Sequence, residues 1–345
     1  GIASISGNMA GYKSEYQAWV SIYEYDTTTG KKGALIDRTY KIPKTDYSEN
    51  PDTISSGGTQ QYLDITNPEA VDWYMNYIWG QMIDLGIDGA KIDFCETMPT
   101  EGYYKGMTVN GKVIDGYLEY DWYDESIFEG DTVHHAYPSY FISLFYKSMM
   151  EQKAAKNIDD GFVVLSRGGG IGSQRNPYMW AGDQARGFGS LPWQGTAGLS
   201  SGLSGVPFMS YDMSGYQYGG YSQSLSYESH VFIRGLEFTA FTICMQTHGK
   251  VRRAYMFEEE DPQYAYVTDL YRAYTKLHEH LTPYITELSE LACTTGTPVM
   301  RHMVLEWQDD KNVYNIEDQY MFGDAFMIAP ILNDGYTRDI YLPEG

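Results

Sequence analysis

Asp93 and Asp183 are the residues of this sequence with the clearest capacity for chemistry. Asp93 closes the apolar run Gly86-Ile-Asp-Gly-Ala-Lys-Ile-Asp-Phe-Cys-Glu96, which turns abruptly to charge, and Pro177-Tyr-Met-Trp-Ala-Gly-Asp183 repeats the event. In proteins that alternate strands and helices, the C-terminal end of a strand is where catalytic groups are mounted. Two carboxylates so placed suit acid–base or nucleophilic work. Side chains alternate along a strand, so Gly89, Lys91 and Asp93 share one face. An ammonium beside Asp93 favours the ionised form that a nucleophile needs. A buried Lys–Asp pair with no chemistry fits the same residues.

Other chemical patterns are weaker. Leu165-Ser-Arg167-Gly-Gly-Gly170-Ile-Gly172 invites a phosphate-loop reading, but no Gly-Lys-Ser/Thr follows, and Ser173 breaks the dinucleotide spacing. Arg167, at a strand end, is better suited to hold a carboxylate or a sugar hydroxyl. His248 could be a base, a ligand or a hydroxyl contact, and no second metal ligand lies at binding distance in sequence. His134 and His135 are adjacent and point apart in most backbones. Cys95, Cys244 and Cys293 form neither a CxxC pair nor a disulfide framework.

The elements that must position these groups follow from periodicity. Residues 1–60 read as irregular. Asn67-Pro68 reads as a helix start, a side-chain cap with Pro in the first turn. Val71, Tyr74, Met75, Ile78, Trp79 and Met82 then recur at helical spacing until Gly86. A strand over Gly89–Asp93 follows. Residues 97–132, polar and glycine-punctuated, read as an active-site loop or small subdomain. A helix is expected near Pro138–Lys156, and strands at 162–166, 178–181, 206–211 and 299–306. Residues 238–247 are ambiguous between helix and strand. A helix is expected over about 263–281, with Pro283 beyond it. This alternation predicts a parallel sheet of the (β/α) barrel type, with too few strands for a closed eight-stranded barrel. Short strands after about residue 310 predict a β-rich C-terminal module.

Composition narrows the partners. The 345 residues, 43% of them apolar, suffice for a large α/β core. A formal net charge of −22 argues against nucleic acid and anionic membranes, which a like-signed field repels. No apolar run approaches the roughly 18 residues that span a bilayer. The 33 tyrosines suit surfaces that stack on sugars, although a polar-aromatic core explains them equally well. The compartment is not legible, and assembly as a homo-oligomer is left open.

Taken together, these segments resemble glycoside hydrolase family 31. Lys91-Ile-Asp-Phe-Cys-Glu96-Thr-Met-Pro99 is similar to its nucleophile motif, in the branch that reads Lys-x-Asp-Phe-Gly-Glu. Ser166-Arg167 through Trp180-Ala-Gly-Asp183 resembles the acid/base segment. Gly202-Leu-Ser-Gly-Val-Pro-Phe208, Asp212-Met-Ser-Gly215, Arg234 through His248, and Val299-Met-Arg301 through Ala329-Pro330 continue in the family's order, and Asp64-Ile-Thr-Asn-Pro68 fits the approach upstream.

The resemblance implies the later strands of a (β/α)8 TIM barrel over 1–310, with the loop insertion at 97–132, and the start of a β-sandwich over 311–345. It implies a barrel without its first strands, and a piece of that kind is expected to be inactive alone. It implies a retaining α-glycosidase with Asp93 as nucleophile and Asp183 as acid/base, the latter protonated when it donates to the leaving oxygen. Lys91, Arg167, Trp180, Asp212 and His248 would bind the sugar, with Trp180 as an apolar wall. The substrate would be an oligosaccharide or glycoside, with no metal and no organic cofactor. Departures from the family pattern fall at Cys95, Gly168, Tyr211 and Gln246, the last in place of a common Arg. These put the sugar in doubt more than the reaction. Competing expectations are an α-glycosyltransferase on the same scaffold, a non-catalytic sugar-binding homologue, and a metal-dependent hydrolase, for which clustered ligands are wanting.

Overall fold

In the computed structural model, the described residues are 2–6, 22–26, 31–37, 71, 73–93, 95–97, 103–114, 117–170, 172–175, 178–216, 224–248 and 251–344. The chain forms two compact units, 1–176 and 177–345. Among the described residues no helix is long and apolar enough to cross a membrane.

The first unit is built on three parallel strands. β1 (Ile2–Ser6) corrects the reading of residues 1–60 as irregular, because it pairs in parallel with the strand that ends in Asp93. Ile-Ala-Ser-Ile-Ser is too short and too mixed to stand out without its partner strand. β2 (Ile22–Asp26) and β3 (Lys31–Asp37) form an antiparallel pair. The helical pattern at 71–82 is realised as α1, which winds as a π-helix over Trp73–Trp79 and as an α-helix over Gly80–Asp84. Gly86 ends it at φ 78°, a conformation that costs glycine little. The helix start expected at Asn67-Pro68 lies outside the described residues.

β4 (Gly89–Asp93) has the expected bounds and is buried along all but its last residue. A strand covered on both faces needs a near-continuous apolar reading, which Gly-Ala-Lys-Ile supplies except at Lys91. In the insertion, β5 (Tyr103–Ile114) and β6 (Tyr117–Glu129) make an antiparallel hairpin. α2 (Gly130–Ala155) starts eight residues before the expected Pro138, which lies inside it. β7 (Val163–Ser166) completes the strands, aligned from Gly89↔Val163 to Ile92↔Ser166. Behind them Tyr74, Met75, Trp79 and Ile83 of α1 pack on Tyr137, Phe141, Phe145 and Met149 of α2, with Trp79 edge-on to Phe145 at 4.7 Å. Lys153 is buried at the end of α2 and donates to Asp88 (3.1 Å) and to the Gly161 carbonyl (2.9 Å).

The second unit continues the alternation. β8 (Tyr178–Trp180) leads to α3 (Leu191–Leu203), and β9 (Phe208–Asp212) pairs in parallel with β8. α3 lies close over β9 because Gly198 has no side chain: a β-carbon there would stand 1.8 Å from the Tyr211 hydroxyl. The ambiguous residues 238–247 prove to be both elements. α4 (Leu225–Thr239) ends within them, and β10 (Met245–Gln246) then pairs with β9.

α5 (Ala254–Glu260) precedes α6 (Ala265–Thr295). The expectation that a helix stops before Pro283 is corrected, since α6 runs through it. Proline removes one helical bond, at a cost of about 3 kcal/mol. Burial of Ile285, Leu288 and Ala292 beyond it offsets that cost. β11 (Met300–His302) is shorter than the expected 299–306, because the His302 ring accepts from the Val304 N–H and turns the chain. β12 (Tyr320–Phe322) and β13 (Phe326–Ile328) complete a three-stranded antiparallel sheet with it.

Candidate active site

Asp93 is the last residue of β4, and strand register decides what stands beside it. Ile92 aligns with Ser166, and the Arg167 N–H donates to the Ile92 carbonyl (3.1 Å), so the ladder extends one step past β7. That step places Arg167 next to Asp93 on the same face. Arg167 Nη1 lies 2.7 Å from Asp93 Oδ1, and its Nε bonds the Glu96 carboxylate. Arg167 is 11% exposed, whereas Asp93 and Glu96 are 20% and 37% exposed, so the guanidinium is largely covered and its two carboxylates are partly open to water. Lys91, on the Asp93 face of the strand, is buried.

Glu96 was visible in the sequence only as part of the charged cluster. The structure shows it sharing the guanidinium of Arg167 with Asp93. Cys95 is fully buried, and burial pushes its thiol well up, with the Glu96 and Asp93 charges acting in the same sense and Arg167 against them. It is a packed apolar group, not a reactive thiolate. Gly168 has a spatial reason. A β-carbon there would stand 3.0 Å from the Glu96 nitrogen and 3.2 Å from Pro138 Cβ.

In the second unit the site residues sit on β8, β9 and the segment after β10. Trp180 ends β8 and is buried. Asp183 follows three residues later, beyond Gly182 at φ 80°. Main-chain bonds shape this loop: Ala181 N–H to Ser210 (3.1 Å), Gln184 N–H to Gly182 (3.1 Å) and Tyr216 N–H to Gln184 (2.9 Å). Gly215, at φ 95°, makes the approach possible, since a β-carbon there would fall 2.7 Å from the Ala185 carbonyl oxygen. The turn after β9 is thereby locked to the loop that carries Asp183.

Asp212 closes β9 and is fully buried. The Gln246 amide, its neighbour in register, donates to Asp212 Oδ1 at 3.1 Å. Position 246, visible beforehand as a departure from the family pattern, thus contacts a candidate sugar-binding carboxylate. His248 lies edge-on to Tyr216, ring centres 4.9 Å apart. Tyr216 had no sequence signal beyond its place one residue after Asp-Met-Ser-Gly.

This arrangement can be compared with known proteins. A family model described as the glycosyl hydrolases family 31 TIM-barrel domain matches residues 11–288, and one described as the glycosyl hydrolase family 31 C-terminal domain matches residues 296–345. An isomaltosyltransferase of Sporosarcina globispora is 31% identical over 96% of the chain and 27% of its own length. A sulfoquinovosidase of Escherichia coli (strain K12) is 29% identical over 82% of the chain and 38% of its own length. Among solved structures, the cycloalternan-forming enzyme of Listeria monocytogenes, in complex with a pentasaccharide substrate, superposes with a TM-score of 0.72. It is 25% identical, and the match covers 100% of this chain and 30% of that one. The chain thus spans less than two-fifths of the length of these relatives. The parallel strands are part of a TIM barrel, and β11–β13 lie in the C-terminal domain.

Proposed function

The chain belongs to glycoside hydrolase family 31, and from that premise we propose that it acts on terminal α-linked sugars with retention of configuration. Asp93 is the nucleophile and Asp183 the acid/base. The observation that supports this most directly is the Asp93–Arg167 contact of 2.7 Å at the C-terminal end of β4, which holds a carboxylate by one oxygen at the mouth side of a barrel strand.

Retention requires two carboxyl groups about 5–5.5 Å apart, flanking the scissile bond. In the first step an oxygen of Asp93 bonds to the anomeric carbon as the glycosidic C–O bond breaks. The proton of Asp183 passes to the departing oxygen. In the second step Asp183, now a carboxylate, takes a proton from water, whose oxygen displaces Asp93 from the sugar. Arg167 holds Asp93 in one orientation and spreads its charge over Glu96 as well, an instance of preorganisation that costs nothing at the moment of reaction. Asp212, oriented by Gln246, accepts hydrogen bonds from sugar hydroxyls; His248 and Lys91 contribute further polar contacts. Such buried acceptors discriminate against a sugar that leaves them unpaired.

A second reading is favoured by the 31% identity to an isomaltosyltransferase along 96% of the chain. In a transferase a sugar hydroxyl takes the place of water in the second step, and every residue role stays the same. The test is a panel of p-nitrophenyl α-glycosides (glucose, xylose, galactose, N-acetylgalactosamine, sulfoquinovose) with the full-length protein and its Asp93→Ala variant. Release from one α-glycoside, lost in the variant, supports the reading; a folded protein silent on all of them counts against it. Chromatography of the products separates hydrolysis from transfer.

A further inference from the structure

The first turn of α4 holds two loops that the proposed reaction depends on, the one after Asp183 and the one after His248. Ser224 caps this helix, its hydroxyl accepting from the Tyr227 N–H at 3.2 Å. Glu228, one residue on, is 8% exposed, and a single oxygen, Oε2, receives two guanidiniums: Arg186 at 3.2 Å and Arg252. Arg186 stands three residues beyond Asp183, and Arg252 stands four beyond His248. The Tyr227 hydroxyl accepts from the Phe188 N–H at 3.2 Å, which seats the same Asp183 loop one step further along. Ser214, two residues after Asp212, lines the same small recess as Arg186, Tyr227, Glu228 and Arg252.

We propose that Glu228 is a positioning residue, a buried carboxylate that ties the Asp183 loop to the loop following His248. The inference rests on the assignment of Asp183 as acid/base. The physical reason is that Oε2 is shared: Arg252 has a second partner in Glu260 at 2.8 Å, but Glu228 is the carboxylate that both Arg186 and Arg252 reach, so it joins the two loops. Loss of that carboxylate unties the loops, and a displacement of about 1 Å in a catalytic group costs on the order of 10²-fold in rate.

The test compares Glu228→Gln and Glu228→Asp with the wild type, in the full-length protein, on α-glycosides of graded leaving-group ability. A poor leaving group needs protonation by Asp183 and a dinitrophenolate does not. For Glu228→Gln, kcat/KM is expected to fall about 10–100-fold on an alkyl glycoside and less than about 3-fold on the dinitrophenyl one. Glu228→Asp should recover part of the loss on the alkyl glycoside. Equal losses on all leaving groups, or no loss at all, would overturn the proposal. Should Glu228→Gln fail to fold, Arg186→Lys, which keeps the charge and loses the planar fork, must show the same leaving-group dependence. Asp183→Ala is the control for the underlying assignment. If that variant shows no leaving-group dependence, the acid/base assignment fails and the inference falls with it.

Discussion

The clusters around Asp93 and Asp183 are held by different forces. Asp93 is gripped by charge: one guanidinium spans Asp93 and Glu96 within a side chain's length of the strand end. Next to Asp183 the loop is shaped by the main chain, through Gly182, the Gln184–Tyr216 bond and the close approach of Gly215 to Ala185, and its ion pair, Arg186 with Glu228, comes only three residues beyond the carboxylate. On the proposed chemistry the difference is functional. A nucleophile must be an anion before reaction, and a cation beside it favours that state. An acid/base must change charge twice per turnover, and a loop set by backbone bonds keeps its shape through both changes.

The largest effect should come from the charged cluster. Asp93→Ala should lower turnover by at least about 10⁴-fold whatever the leaving group, measured as release from the preferred p-nitrophenyl glycoside. Asp183→Ala should differ in kind. A loss of about 10²–10⁴-fold is expected on poor leaving groups, with near-normal glycosylation by a dinitrophenyl glycoside and acceleration of the second step by azide. If the two variants respond alike, the contrast between the clusters collapses.

Arg167→Lys sharpens the comparison, since it preserves charge and removes the fork. A fall of about 10–100-fold in kcat is expected, with little change in KM. A smaller effect belongs to the neutral side. Gln246→Leu removes a donor from buried Asp212 and should cost about 1–3 kcal/mol, read as a raised KM or a lower melting temperature. The smallest lies away from both clusters. The Lys153 ammonium, by donating to Asp88, holds that carboxyl below its usual value. A depressed folded-state value means stability that is present above the unfolded carboxylate pKa and lost as pH falls through the folded one. Asp88→Asn should therefore melt slightly below wild type at pH 7, with the gap closing as the pH falls below about 4. A gap that persists in acid would assign the effect to packing.

Much of this was legible beforehand, for identifiable reasons. β4 was readable to the residue, because an apolar run that ends in a charged cluster has one interpretation when Gly86 stops the preceding helix. β1 was not, since five residues of mixed polarity become a strand only beside β4. The run of α6 through Pro283 depends on apolar partners that a local rule cannot see. Arg167 was readable as a holder of either a carboxylate or a sugar hydroxyl, but Asp93 and Glu96 as its partners and Tyr216 beside His248 depend on which turns fold over which strand ends.

The sequence alone determined the alternation of strands and helices, the two strand-end carboxylates and the order of motifs that marks the family, because these depend on residue type and local spacing. Tertiary structure decided the partners: Arg167 on Asp93 by strand register, Gln246 on Asp212 by the β9–β10 pairing, and Glu228 on two arginines by the seat of α4. Contacts between residues far apart in the chain depend on register and packing, and neither is written in any local window of sequence.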